Sequence, residues 1–298
     1  MLTGIHFLLT YKCNMECDHC FVYSAPSSRG TFTLDQLRKV FSEIEKIGTI
    51  EQVYFEGGEP FMFYPLMLEG IKLAAAQDLE IGIVTNSYWA TSDEDAELWL
   101  KPLEGMKLVD LSVSDDTFHY GEDEPNPTRF VEVAAEKLGI PVGSICIDKP
   151  SVQAGDESTK GQPYITGGAL LKGRAVEKLM EGLPLTSYDK FTDCLVEDLR
   201  NPGRVHVDSY GYVHLCQGLV IGNMWETPLS ELVTKYNADD HPICKPLVEG
   251  GPVQLAKEFD VTPDDKYATA CHFCYEVRMK LLDKFPQFLA PKQVYGIE

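Results

Sequence analysis

A chain of 298 residues is long enough for one large domain, or for one large and one small. Its 44% hydrophobic and 24% charged residues are ordinary globular composition, which excludes a disordered chain, and no run approaches the ~18 to 20 consecutive apolar residues of a membrane helix. With 46 acidic against 26 basic residues the net charge is −20, so neither nucleic acid nor an anionic membrane is an expected partner.

Strand-like and helix-like segments alternate through the first half. Residues 5–10 predict an apolar strand, and the N-terminus before it has no basic export region, so a cytoplasmic location is expected. Residues 33–47 predict a helix. Leu34, Leu37, Phe41, Ile44 and Ile47 recur at helical spacing, Thr33 with Gln36 makes a capping box, and Gly48 stops it. Strands are expected over 53–55, 81–85, 108–114 and 142–147, and helices over 66–76, 92–100 and 128–138. This rhythm implies parallel strands with crossover helices, about six units before residue 185. Residues 153–162 read as a surface loop and Glu122-Asp123-Glu124 as solvated surface. After residue 185, residues 204–207 and 212–215 read as a hairpin around Ser209-Tyr210-Gly211, followed by short helices. The expected fold is therefore α/β, a partial (β/α)6 TIM barrel over 1–185 and a small cysteine-rich domain over 186–298.

The polar residues gather at expected strand ends, where parallel α/β folds place their sites. Nine cysteines is an odd count, and reduced thiols are expected in the cytoplasm, so their clustering points to metal rather than disulfides. Cys13, Cys17 and Cys20 have the spacing C-x3-C-x2-C just after the first strand. Three thiolates suit iron–sulfur or zinc, but no fourth thiolate lies nearby to close a structural zinc site. On a four-iron cluster, three ligands leave one iron with an open position, as a catalytic metal needs.

The loop Cys13-Asn14-Met15-Glu16-Cys17-Asp18-His19-Cys20 resembles the cluster loop of the radical S-adenosylmethionine (SAM) superfamily. Gly57-Gly58-Glu59-Pro60 is similar to the motif that binds the methionine amino group in that family. Asn86 falls at its third-strand position, Ser112, Ser114 and Asp115 where the fourth strand meets ribose, and Arg174 in Gly173-Arg174-Ala175 at a late motif that meets the SAM carboxylate or ribose. His19 takes the position before the last cysteine. The resemblance spans roughly residues 5–180 and implies a [4Fe-4S] cluster, SAM, a 5′-deoxyadenosyl radical and a flavodoxin- or ferredoxin-type reductant.

Cys194, Cys216, Cys271 and Cys274 form the second group. Gly211 to Cys216 makes G-x4-C on the expected hairpin, and Cys271-His272-Phe273-Cys274 closes the set. This resembles the twitch or SPASM auxiliary-cluster domain of radical SAM enzymes, which implies a second [4Fe-4S] cluster. Structural zinc on the same four thiols is the alternative, with His206, His214, His241 and His272 as substitute ligands or plain packed histidines.

Cys146 sits between Ile145 and Ile147 and is expected to pack as a small hydrophobe, or to donate hydrogen to a substrate radical. Cys244 is a donor, a ligand or an idle thiol. Asp116 and His119 are candidate acid–base groups, or Asp116 caps its loop. Tyr88 and Trp89 wall the cavity or pack. The resemblance makes a peptide or protein side chain the first expected substrate, through oxidation, cross-linking or epimerisation. An early first strand leaves no expected room for a leader-binding module. A small-molecule metabolite is the second expectation, and a non-catalytic iron–sulfur or zinc protein the third.

Overall fold

A computed structural model describes residues 1–121, 126–155 and 161–297. The acidic run Glu122-Asp123-Glu124 and residues 156–160 of the expected surface loop lie outside the described residues.

Strand β1 (Gly4–Thr10) leads through the cysteine loop to helix α1 (Leu34–Ile47). Thr33 caps that helix. Its hydroxyl accepts the Gln36 N–H at 3.2 Å and the Gln36 side chain accepts the Thr33 N–H at 2.8 Å. Gly48 closes it in the left-handed conformation. Then follow β2 (Gln52–Gly57), α2 (Tyr64–Ala76), β3 (Glu80–Thr85), α3 (Asp93–Leu100), β4 (Leu108–Ser114), α4 (Thr128–Leu138) and β5 (Val142–Ile145). A separate hairpin, β6 (Ser151–Gln153) with β7 (Tyr164–Thr166), comes next, then the short α5 (Ala175–Lys178) and β8 (Thr186–Ser187). The chain ends with β9 (Arg204–Asp208), β10 (Tyr212–Cys216), β11 (Leu219–Asn223), α6 (Leu229–Lys235), α7 (Cys244–Glu258), β12 (Lys266–Tyr267) and α8 (Ala270–Leu281). No helix among the described residues is long and apolar enough to cross a membrane.

One eight-stranded sheet runs β11-β10-β9-β1-β2-β3-β4-β5. Strands β1 to β5 are parallel in chain order, and β9 pairs with β1 in parallel on its other side. The expected count of six units before residue 185 is therefore corrected. Five parallel strands precede that point, and the sixth is β9. The stretch after β5 is polar and glycine-rich, so it lacks an apolar row to bury, and the hairpin strand Arg204–Asp208 takes the place instead. The partial barrel and the cysteine-rich segment thus share one sheet.

The two faces of this sheet differ. In parallel pairs, partners in register point to the same side. Val207, Phe7, Phe55, Ile83 and Leu111 form one buried apolar row. Phe7 stacks on Phe41 of α1, and Gly70 of α2 lies against the Phe55 ring, so this face carries the helices. The opposite row reads His214, His206, His6, Tyr54, Gly82 and Asp110. A polar row on a buried sheet face needs partners, and it marks the inner side of the barrel as the chemical side.

Candidate active site

Strand β1 delivers Cys13, Cys17 and Cys20 on the loop that follows Thr10. Three structures grip this loop. The first is the glycine turn after β2. The Gly58 N–H donates to the Thr10 carbonyl at 2.6 Å and the Glu59 N–H to the Lys12 carbonyl at 3.0 Å. A Cβ on Gly58 would stand 2.1 Å from the Lys12 oxygen, and one on Gly57, whose φ is +125°, 2.5 Å from the Thr10 oxygen. Only glycine allows two backbones this close. Pro60 opens the short helical turn behind them and is buried.

The second grip is Asn86, at the end of β3. Its side-chain amide donates to Asn14 Oδ1 at 2.9 Å and to Cys13 Sγ at 3.6 Å. The third is Arg174. Its guanidinium donates to the carbonyls of Cys17 and Ser24, each at 2.8 Å, and its N–H to the Cys20 carbonyl at 3.0 Å. Gly173 precedes it at φ +62°, where a Cβ would meet Phe21 Cα at 2.5 Å. Both terminal nitrogens of Arg174 thus brace the cysteine loop, in the position where the resemblance implied a contact to SAM.

Glu59 is fully buried. One carboxylate oxygen accepts the Phe61 N–H and the Thr85 hydroxyl at 2.9 Å each, and the other accepts the Asn86 N–H at 2.7 Å. Burial outweighs these bonds and raises its carboxyl to about 7. The cysteines fit a soft metal group. The Met15 N–H points at Cys13 Sγ at 3.4 Å and the Ser24 N–H at Cys20 Sγ at 3.3 Å. Burial pushes the Cys13 thiol up to about 12, helped by Glu59 and then Cys20, and pushes Cys17 higher, helped by Cys20 and Cys13. Bare thiolates are thus disfavoured here, and a metal that takes their charge resolves the conflict.

His19 stacks against Phe118 at 4.4 Å and meets His119 edge-on at 5.3 Å. Burial, then His119, lowers its imidazole to about 4. Asp116 is a loop cap. Oδ1 accepts the Phe118 N–H at 3.0 Å and lies 2.8 Å from His119 Nδ1, while Oδ2 accepts the Ile147 N–H at 3.3 Å. Asp115 bonds the Asn126 side chain, the Ser112 hydroxyl donates to Asp110 at 2.8 Å, and Ser114 is buried.

Cys146 is corrected. It lies one residue past β5, on the sheet edge, and is exposed instead of packed. It lines a cavity of about 400 Å³ with Asp115, Asp116, Tyr120, Asp148 and Lys149. A larger groove of about 610 Å³, lined by Lys39, Lys46 and Trp225, contains none of the cysteines. Trp89 stacks on Phe61 at 4.3 Å and donates to Thr85 at 3.0 Å, so it packs; Tyr88 is half-buried against the same core.

The second cysteine group lies on separate segments, with Cys216 at the end of β10 and Cys271 and Cys274 on α8, and no three of its sulfurs lie within 4.8 Å of one another. The Cys271 and Cys274 thiols each feel Cys216 and Cys194 as charged neighbours, and burial raises Cys274 to about 12. Cys194 is exposed. Cys244 is buried at the start of α7 and raised to about 12 by burial. The histidines are committed elsewhere: His206 to Glu56, His214 to Asp208, His241 to the Val220 carbonyl and His272 to Glu276.

Two residues escaped the sequence reading. Lys172 is buried, and its ammonium donates to Cys216 Sγ at 3.6 Å and Gln217 Oε1 at 2.7 Å. Arg278 is buried, donates to the Gln217 carbonyl at 3.1 Å, and lies near Cys216 and Cys274. Neither meets a carboxylate within ion-pair distance among the described residues. Buried cations need a counter-charge, and the thiols are what they face. Arg278 stands four residues after Cys274 on one helix face, a signal that was available. Lys172 sits beside Gly173, where only the fold reveals its direction.

Residues 7–123 match the model of the Radical SAM superfamily. Among curated proteins, the chain is 27% identical over 111 residues to the "Putative peptide biosynthesis protein YydG" of Bacillus subtilis (strain 168), covering 37% of this chain and 35% of that one. It is 29% identical over 80 residues to the "Antilisterial bacteriocin subtilosin biosynthesis protein AlbA" of the same organism, covering 27% of this chain and 17% of that one. The matches thus span about a third or less of these relatives. Among solved structures, BtrN in complex with AdoMet and 2-DOIA aligns with a TM-score of 0.51 at 14% identity, over 78% of this chain and 82% of that one, a likeness of fold.

Proposed function

We propose that the chain is a radical SAM enzyme that cleaves S-adenosylmethionine reductively and abstracts hydrogen from a peptide or protein side chain, with oxidation, cross-linking or epimerisation as the outcome. The observation that carries the first part is the joint built around Cys13. A glycine turn, an asparagine amide and an arginine all fix one three-cysteine loop at the C-terminal mouth of a parallel sheet. A [4Fe-4S] cluster held by Cys13, Cys17 and Cys20 supplies the electron and an open iron for the amino and carboxylate groups of SAM when bound. Gly57, Gly58 and Pro60 shape the amino-group side, Asn86 fixes the Cys13 thiol, Ser112, Ser114 and Asp115 face the ribose side, and His19 with Phe118 makes a dry wall. Asp116 holds the His119 ring, which leaves His119 rather than Asp116 to move a proton.

Cys194, Cys216, Cys271 and Cys274 hold a second [4Fe-4S] cluster in this reading, its negative charge balanced by Lys172 and Arg278. Residues 1–185 are then the catalytic core and 186–298 the auxiliary domain. A flavodoxin- or ferredoxin-type reductant in the cytoplasm supplies the electron. The peptide substrate is supported by the peptide and bacteriocin biosynthesis relatives.

The test is anaerobic incubation with dithionite, S-adenosylmethionine and short peptides encoded beside the gene. The expected result is 5′-deoxyadenosine together with a peptide mass change. Deoxyadenosine without any peptide product, but with turnover of a metabolite, would move the substrate to a small molecule; no deoxyadenosine would end the reading.

A further inference from the structure

We propose that His6, Glu56 and His206 form a binding site for one divalent first-row metal cation, separate from both cysteine groups. Three adjacent strands supply them. Register pairs His6 of β1 with His206 of β9 and with Tyr54 of β2, and Glu56 stands one step further along the same face of β2. His206 Nε2 lies 3.0 Å from Glu56 Oε1, and His6 Nδ1 lies 3.4 Å from the same oxygen. The three donor atoms all fall within 4.8 Å of one another.

These separations have a simple source. Nitrogen and oxygen ligands bind such cations at about 2.0 to 2.2 Å, so two ligands on one ion stand about 2.9 to 3.5 Å apart across octahedral or tetrahedral angles. Neither histidine makes a hydrogen bond of good geometry to the carboxylate, and His206 Nε2 also has the Gln217 side-chain nitrogen 3.4 Å away. His6 Nδ1 is buried without a hydrogen-bond partner although it lies beside the carboxylate oxygen, so the two atoms converge without one donating to the other. An orphaned buried nitrogen such as His6 Nδ1 is rare and asks for an occupant.

The donor chemistry selects the class of ion. Two imidazoles and a carboxylate suit borderline cations from manganese to zinc, whereas the cysteine groups suit soft iron–sulfur or zinc chemistry. The rings are preset, since His6 stacks on Tyr54 at 4.6 Å and meets His206 edge-on at 5.0 Å. The His6 and Glu56 side chains keep 13% and 19% exposure, so further coordination positions open onto the polar barrel face, where water or a substrate oxygen enters. The cluster of His19, Asp116 and His119 has comparable spacing, but backbone N–H groups already occupy its carboxylate.

Manganese(II) is the probe, added to chelator-washed, reconstituted protein with any clusters oxidised and therefore silent in electron paramagnetic resonance. The expected result is one bound manganese with nitrogen hyperfine coupling from imidazole. His206→Ala and Glu56→Gln each weaken that binding by about tenfold or more and leave the iron content unchanged. Glu56→Gln keeps the volume of the side chain, so it guards against a folding artefact. Three results overturn the site: no binding at millimolar manganese, binding without nitrogen coupling, or coupling that survives both His6→Ala and His206→Ala. A failure of the cluster reading appears separately, as absent iron.

Discussion

Cys13, Cys17 and Cys20 share one loop, while Cys194, Cys216, Cys271 and Cys274 come from three separate segments of the chain. The two groups are also held differently. Around the first, the supports reach the backbone: the glycine turn bonds to Thr10 and Lys12, and Arg174 bonds to the Cys17 and Ser24 carbonyls. Around the second, charge reaches the sulfur, with Lys172 on Cys216 and Arg278 near Cys216 and Cys274. The first site therefore depends on chain shape and the second on charge balance. Residues 172–174 touch both, because Lys172 turns to one group and Arg174 to the other across Gly173.

The largest way to break the comparison is Cys17→Ala. It removes a proposed ligand and is expected to abolish deoxyadenosine release and about four irons per chain, with C-terminal metal retained. Loss of metal from both sites would show that they fold as one unit. Gly58→Ala should come close to it. Its new Cβ meets backbone at 2.1 Å, so the cysteine loop must shift, and most N-terminal iron and cleavage should go while all thiols remain. Iron analysis and deoxyadenosine release read both variants.

Cys274→Ala should have the complementary effect, losing the C-terminal metal while uncoupled SAM cleavage stays measurable. Lys172→Met is milder. Losing one charge-assisted contact to Cys216 should raise chelator release of the C-terminal metal about tenfold to a hundredfold and leave the N-terminal rate alone. Equal acceleration at both sites would show that the 172–174 strut acts through shape. The smallest effect lies outside both groups. Exposed Cys146 should alkylate readily and Cys244 hardly at all, since burial holds Cys244 near 12. Slight desolvation and the nearby Asp148, Asp116 and Asp115 raise the Cys146 thiol, so its alkylation rate should go on climbing above the pH of an ordinary cysteine. Mass spectrometry across a pH series reads both.

The sequence was legible where a signal is local. The capping box at Thr33, the strand Leu108–Ser114 and the helix Thr128–Leu138 stand where periodicity and caps put them. The hairpin of β9 and β10 was legible as a hairpin, but nothing in its residues said that β9 would lie beside β1. Pairing between strands so distant in sequence is decided by the whole sheet. The same fact hid the meeting of His6, Glu56 and His206, single polar residues in unrelated strands that register alone brings together. Cys146 misled because Ile145 and Ile147 resemble a buried strand, whereas β5 ends at Ile145 on the edge of the sheet. The three-cysteine loop was legible because its ligands and its glycine clamp each occupy one short motif.

The most direct test of the two-site account is iron, sulfide and zinc per chain after anaerobic reconstitution, measured together with deoxyadenosine release under dithionite. About eight irons with matching sulfide and with deoxyadenosine is the expected result. About four irons with one zinc would keep the cleavage chemistry and contradict the second cluster, and neither iron nor deoxyadenosine would contradict the account at its root.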